Sequence, residues 1–143
     1  MKLFTIGYEG ATMDEFLGAL RDAGVLRVID VRALPLSRRP GFSKTPLRAA
    51  LAEAGIDYVH LKALGTPAEG RSAAKRGDRE TLERVYVEQL SLPEAMVAGE
   101  EMKRLATEKP CALLCFERDA ADCHRSLLWK AVAADAEVVD LTP

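Results

Sequence analysis

Five short apolar runs constrain this chain more than any other feature: Leu3–Ile6, Val28–Val31, Ile56–Leu61, Cys111–Phe116 and Ala136–Leu141. Little polar alternation interrupts them, as expected of strands buried on both faces of a parallel sheet. The segments between them carry helical signals. Thr12-Met13-Asp14-Glu15 is a capping box, and Met13, Phe16, Leu17 and Leu20 follow on one helical face, with Gly24 at the end. Thr45-Pro46 opens a second helix, with Thr as cap, Pro first, and Leu47, Ala50, Leu51 and Ala54 facing inward before Gly55. Two more are expected over 78–90 and 92–108, the first burying Leu82, Val85, Tyr86 and Leu90, the second capped by Ser91-Leu92-Pro93-Glu94. Residues 62–77, with Gly65, Pro67, Gly70 and Gly77, read as a mobile loop.

Strands alternating with helices predict one α/β domain over residues 1–143. It is a three-layer, Rossmann-like, five-stranded parallel sheet with helices on both faces. Right-handed crossovers put the first two connecting helices on one face and the last on the other. The expected strand order is 3-2-1-4-5, with ligands bound outside the carboxyl ends where the first and fourth strands meet.

The chemistry concentrates in Cys111–Trp129, CALLCFERDAADCHRSLLW. An apolar strand gives way to the polar loop Glu117-Arg118-Asp119-Ala120-Ala121-Asp122. A helix then follows with Asp122 as N-cap and Leu127, Leu128, Ala131 and Val132 inward. Cys115 and Glu117 share a face at the strand's carboxyl end. Cys123-His124-Arg125 falls in the first helical turn, where the helix N-terminus and Arg125 favour an anion and a Cys123 thiolate. Glu117 should raise the Cys115 pKa, and Cys111 belongs to the packing. Cys115, Cys123 and His124 with Glu117 could make a zinc set, but Cys111 lies about 13 Å from Cys115 along a strand. Paired Cys-x-x-Cys knuckles are also missing, so no metal is assigned, and the residues leave any cofactor unknown.

In these motifs the chain resembles the family DUF488, a domain of unknown function. The resemblance is carried by Thr5-Ile6-Gly7-Tyr8-Glu9-Gly10, Asp30-Val31-Arg32, Pro35-Leu36-Ser37-Arg38 and Gly41-Phe42-Ser43-Lys44. It continues through Tyr58-Val59-His60-Leu61, Leu64-Gly65, Leu114-Cys115-Phe116-Glu117 and Cys123-His124-Arg125. It implies an α/β domain and an enzyme with a cysteine-containing site. Asp30-Val31-Arg32 and a cysteine ending a strand are a weaker echo of rhodanese sulfurtransferases, whose compact cysteine loop is absent here.

The net charge of −2 is unevenly spread. Arg32, Arg38, Arg39, Lys44 and Arg48 share a segment without a carboxylate, and Arg71, Lys75, Arg76 and Arg79 form a second basic cluster. This asymmetry favours an anionic ligand. Nothing resembles a membrane span or a signal peptide. Three cysteines, an odd number, argue against a disulfide framework and for a reducing cytoplasm.

The expected fold brings four polar groups to one crevice. The first strand supplies Gly7, Tyr8 and Glu9, the second Asp30, Arg32 and the basic loop with Arg38, and the third His60. The fourth supplies Cys115, Glu117, Cys123, His124 and Arg125. The leading expectation is an enzyme acting on a small phosphorylated or nucleotide-like substrate. Arg32, Arg38 and Arg125 would hold the anion, and Cys115 or Cys123 would be the nucleophile. Glu9 or Glu117 would be the acid/base group and His124 the proton carrier. The alternative is a non-catalytic module gripping nucleic acid with the basic loops 33–48 and 66–79, which aromatic residues barely interleave.

Overall fold

The computed structural model describes residues 1–119 and 123–143. Along the chain run β1 (Lys2–Gly7), α1 (Met13–Ala23), β2 (Arg27–Asp30), α2 (Lys44–Glu53) and β3 (Asp57–His60). They are followed by α3 (Ala68–Arg76), α4 (Arg79–Leu90), α5 (Pro93–Glu108), β4 (Cys111–Cys115), α6 (His124–Val132) and β5 (Glu137–Leu141). The fold is α/β, with an all-parallel five-stranded sheet as the buried runs predict.

The strand order is β3-β2-β4-β1-β5 and corrects the expected 3-2-1-4-5. β4 enters between β1 and β2, pairing Ala112 with Phe4 on one side and with Val28 on the other. The reason lies in burial. All five residues of β4 are buried, so this strand needs neighbours on both edges. β3 and β5, which carry Asp57, His60, Glu137 and Asp140, are only partly covered and take the edges. The α1 crossover therefore passes over one strand instead of joining neighbours. β1 and β4 still lie side by side, with Gly7 opposite Cys115.

Two apolar layers flank the sheet. Phe4, Ile6, Val28 and Leu114 pack with Phe16 and Leu20 of α1 and Leu47 and Leu51 of α2. On the other face, Leu3, Ile29, Cys111 and Leu113 pack with Tyr86, Met102, Leu105 and Leu128 from α4, α5 and α6. Alternation along each strand thus assigns Cys115, two residues after Leu113, to the α6 face.

Helix boundaries follow capping chemistry. The Thr12–Glu15 capping box forms in full. Ser43, not Thr45, precedes α2, Leu92 precedes α5 with Pro93 in its first turn, and Cys123 is the N-cap of α6. The expected cap, Asp122, lies outside the described residues. Residues 62–77 are not a loop but a 3-10 turn (Lys62–Leu64) followed by α3. Gly70, read as a breaker, sits inside α3 because a Cβ there would lie 2.3 Å from the Thr66 methyl group.

Candidate active site

The ends of β1 and β2 are locked by one buried ion pair. Arg32 donates Nε to Asp30 Oδ1 at 2.9 Å and Nη2 to Oδ2 at 2.8 Å, and its Nη1 donates to the Phe42 carbonyl at 2.7 Å. Burial pulls Arg32 down, but hydrogen bonding and charge from Asp30 outweigh it and hold Arg32 above its ordinary value. Arg32 Nη1 also donates to Tyr8 Oη at 3.2 Å, and Tyr8 stacks on Phe42 with ring centroids 4.5 Å apart. The long loop after β2 is thereby fastened to β1, and Lys44 N donating to the Pro35 carbonyl at 2.8 Å closes it.

The end of β4 is fitted just as closely. A Cβ on Gly7 would stand 1.7 Å from the Glu117 carbonyl oxygen, so only glycine lets this backbone cross β1. That carbonyl accepts Arg125 Nη2 at 2.6 Å, and the Arg118 carbonyl accepts it at 3.3 Å. Arg125 is fully buried. Among the described residues no carboxylate lies within ion-pairing distance of it. Among the described residues it also meets Cys123, whose Sγ accepts Arg125 N at 3.2 Å and Arg125 Nε at 3.1 Å.

Cys123 is joined to Cys115 in a disulfide, with Cα atoms 7.6 Å apart. Two of the three cysteines are thus paired, against the expectation drawn from their odd number. Glu117 Oε2 is 3.5 Å from Cys115 Sγ, positioned to accept its proton when the pair is reduced. Cys111 is free and buried, and desolvation pushes its thiol above the ordinary value. With the sulfurs joined, burial pulls the Arg125 guanidinium down to about 10, partly opposed by the charges of Asp140, Glu117 and Asp119.

His124 Nε2 lies 2.8 Å from the Val31 carbonyl, which can only accept, so Nε2 carries the hydrogen and Nδ1 the lone pair. Burial pulls its pKa from 6.5 to about 4, and the ring meets Tyr86 edge-on at 5.0 Å. Cys115, Cys123 and His124 offer ligand atoms within 4.8 Å of one another, a Cys2His donor set that could hold a soft metal ion.

These sulfurs floor a cavity of about 420 Å3. Its walls carry Arg32, Arg38, Arg39, Arg71 and Lys75, and Glu117 is the carboxylate among its described lining residues. Arg32 is already neutralised by Asp30, so the uncompensated charge comes from the loop after β2 and from α3. Two buried polar atoms on the wall, Arg39 Nε and Thr66 Oγ1, have no hydrogen-bond partner among the described residues. Leu34, Leu36 and Phe116 line the same cavity and are exposed.

Of the residues expected at the site, Tyr8, Arg32, Arg38, Cys115, Glu117, Cys123 and His124 line this cavity. Gly7, Asp30 and Arg125 are not in the wall; each holds a wall residue in place from behind. Glu9 is exposed, and its Oε1 accepts Arg118 N at 3.0 Å on the outer side of the loop. His60 is on edge strand β3 with Nε2 2.7 Å from the Arg32 carbonyl, outside the cavity lining. Thr66 and the roles of Arg71 and Lys75 escaped the sequence reading. The second basic cluster was visible, but placing Arg71 and Lys75 one helical turn apart required recognising α3.

Fold and site together define a doubly wound parallel α/β domain with a two-cysteine centre in a basic cavity at the strands' carboxyl ends. The model of the family "Domain of unknown function DUF488" matches residues 12–132, and the chain belongs to that family. Searches of curated proteins and of solved structures found no match.

Proposed function

We propose that this protein is an enzyme that uses a cysteine nucleophile on a small anionic substrate of the phosphorylated or nucleotide-like class. One observation carries the reading: Cys123 Sγ accepts the Nε–H of a fully buried Arg125. A guanidinium removed from water and without an ion pair among the described residues favours an anion beside it, and a Cys123 thiolate supplies one. The helix N-terminus adds a second donor, Arg125 N, to the same sulfur. The reduced resting site is therefore a thiolate at Cys123 beside a thiol at Cys115, with Glu117 as proton acceptor. Arg38, Arg39, Arg71 and Lys75 face the cavity and hold the substrate's anionic group. A concave site of this volume suits a small molecule better than an extended nucleic-acid backbone.

The test is alkylation of the reduced protein with iodoacetamide across pH, with the labelled cysteine identified by peptide mapping. Cys123 should react first and with an inflection below neutral pH. Inorganic phosphate or a mononucleotide should slow it in proportion to occupancy. Labelling of every cysteine only above about pH 8.5, the value of a free thiol, would remove the nucleophile. Absence of protection by any anion would remove the substrate class.

A further inference from the structure

We propose that Cys115 and Cys123 form a thiol–disulfide exchange couple whose co-substrate is an anionic low-molecular-weight disulfide. The inference rests on the Cys123 thiolate and basic cavity of the function proposed above and adds the reaction they support. Three observations meet here. The two sulfurs are close enough to bond, and both, though almost fully buried, line the cavity through which an incoming disulfide would reach them. They are chemically unequal: Cys123 receives two N–H donors, whereas Cys115 faces the carboxylate of Glu117. The approach is lined by Arg38, Arg71 and Lys75, which select for negative charge.

The inequality assigns the order of events. The Cys123 thiolate attacks one sulfur of R–S–S–R, forming Cys123–S–S–R and expelling RS⁻. Cys115 then gives its proton to Glu117, and its sulfur attacks the Cys123 sulfur, breaking the mixed disulfide and expelling the second RS⁻. The proton on Glu117 passes to a departing thiolate. In sum, two cysteines lose two electrons, one external disulfide gains them, and two molecules of thiol leave. The reverse sequence reduces the pair.

Why the first attack falls to Cys123 follows from its surroundings. A nucleophilic thiolate needs stabilising donors, and those at Cys123 are fixed by burial of Arg125 and by the helix start. Cys115, held beside a carboxylate, stays protonated until a mixed disulfide places an electrophilic sulfur against it. Attacking and resolving roles are thus built into the two positions. Cys111, buried in the opposite end of β4 with its Sγ donating to the Leu105 carbonyl at 3.4 Å, takes no part.

The experiment compares two disulfides of opposite charge on the reduced full chain: oxidised glutathione, which is anionic, and cystamine, a dication. Each rate is divided by that of the same disulfide with dithiothreitol, which cancels intrinsic reactivity. The expected normalised preference for oxidised glutathione is about tenfold or more at low salt, shrinking as salt screens the cavity. The double variant Arg38→Gln, Lys75→Gln should erase most of it. Cys115→Ser should stop at a stable mixed disulfide holding one glutathionyl group on residue 123. Cys123→Ser should acquire none at Cys115 on the same timescale. If either serine variant fails to fold, the charge preference of the parent protein still decides. Equal or reversed preference overturns the proposal, as does first capture of glutathione at Cys115. Stoichiometric zinc uptake by reduced protein handled without chelators, with both thiols then inert to either disulfide, also overturns it by making the cluster a metal site. Phosphate protection of Cys123 surviving alongside any of the first two failures would leave the broader enzymatic reading standing.

Discussion

Replacing Arg125 with methionine isolates the interaction on which the chemistry turns. The side chain is fully buried and its Nε lies 3.1 Å from Cys123 Sγ, so charge is removed while most of the volume stays. Opposite unit charges about 4 Å apart attract by about 4 kcal/mol at an effective dielectric near 20. Desolvation of both groups takes back part of this, leaving about 2–3 kcal/mol in favour of the thiolate. At 1.36 kcal/mol per unit, Arg125→Met should raise the Cys123 pKa by roughly two units. The Arg125 backbone N–H, 3.2 Å from Sγ, remains and limits the shift. The assay is the pH dependence of iodoacetamide alkylation at Cys123, with thiolate ultraviolet absorbance as a second readout. The inflection should move from below neutrality towards about 8.5. An inflection that stays where it was in a folded variant would refute the thiolate–guanidinium pairing, whatever the substrate turns out to be.

Three further changes probe the scaffold. Asp30→Asn should destabilise the protein by about 3–5 kcal/mol in urea denaturation, because it leaves the buried Arg32 charge without its counterion. Gly7→Ala puts a Cβ 1.7 Å from the Glu117 carbonyl oxygen, so it should cost about 1–3 kcal/mol or more. It should also raise the Cys123 inflection, since that carbonyl holds Arg125 Nη2. His124 has a folded-state pKa of about 4 against 6.5 unfolded, because burial opposes its charge and Arg125 adds to this against the Val31 carbonyl and Asp30. Above pH 6.5 it is neutral in both states; as pH falls from 6.5 to about 4 the unfolded chain gains a proton that the fold refuses. Stability should drop across that window by about 3 kcal/mol, and His124→Asn should flatten the drop in thermal melts at stepped pH.

The class of fold was legible because burial on both faces leaves an uninterrupted apolar run, and five such runs stand out. Strand order was not, since chain adjacency is a poor guide when one strand is far more apolar than its neighbours. Cys111-Ala112-Leu113-Leu114-Cys115 goes to the centre on that account. The site was legible where short-range physics sets it: a cysteine at a helix start and a carboxylate two residues from another cysteine. It was illegible where tertiary packing decides. Arg125 looked like an anion clamp facing the crevice, yet it is fully buried behind Cys123, with its Nε donating to that sulfur. Glu9 shares the β1 end with Tyr8, but Tyr8 enters the core and Glu9 turns outward to Arg118 N. Gly70 hid α3, and with it the second basic wall.

Oxidation sets two contributions of similar size against each other at this site. Joining cysteines eight positions apart removes loop entropy from the unfolded chain, which favours the disulfide by about 2.5 kcal/mol in the chain-entropy account. With the proposed thiolate at Cys123, the same step removes its charge. Arg125 then stays charged and buried against a neutral sulfur and two backbone carbonyls, and about 2–3 kcal/mol of thiolate–guanidinium attraction is lost. Two opposing contributions of this size nearly cancel, so neither redox state is locked by the fold. A cross-link meant only to brace α6 against β4 gains nothing from a buried cation beside one of its sulfurs, since that cation favours the broken bond. An exchange centre needs that opposition, because both directions must remain within reach of an external thiol or disulfide.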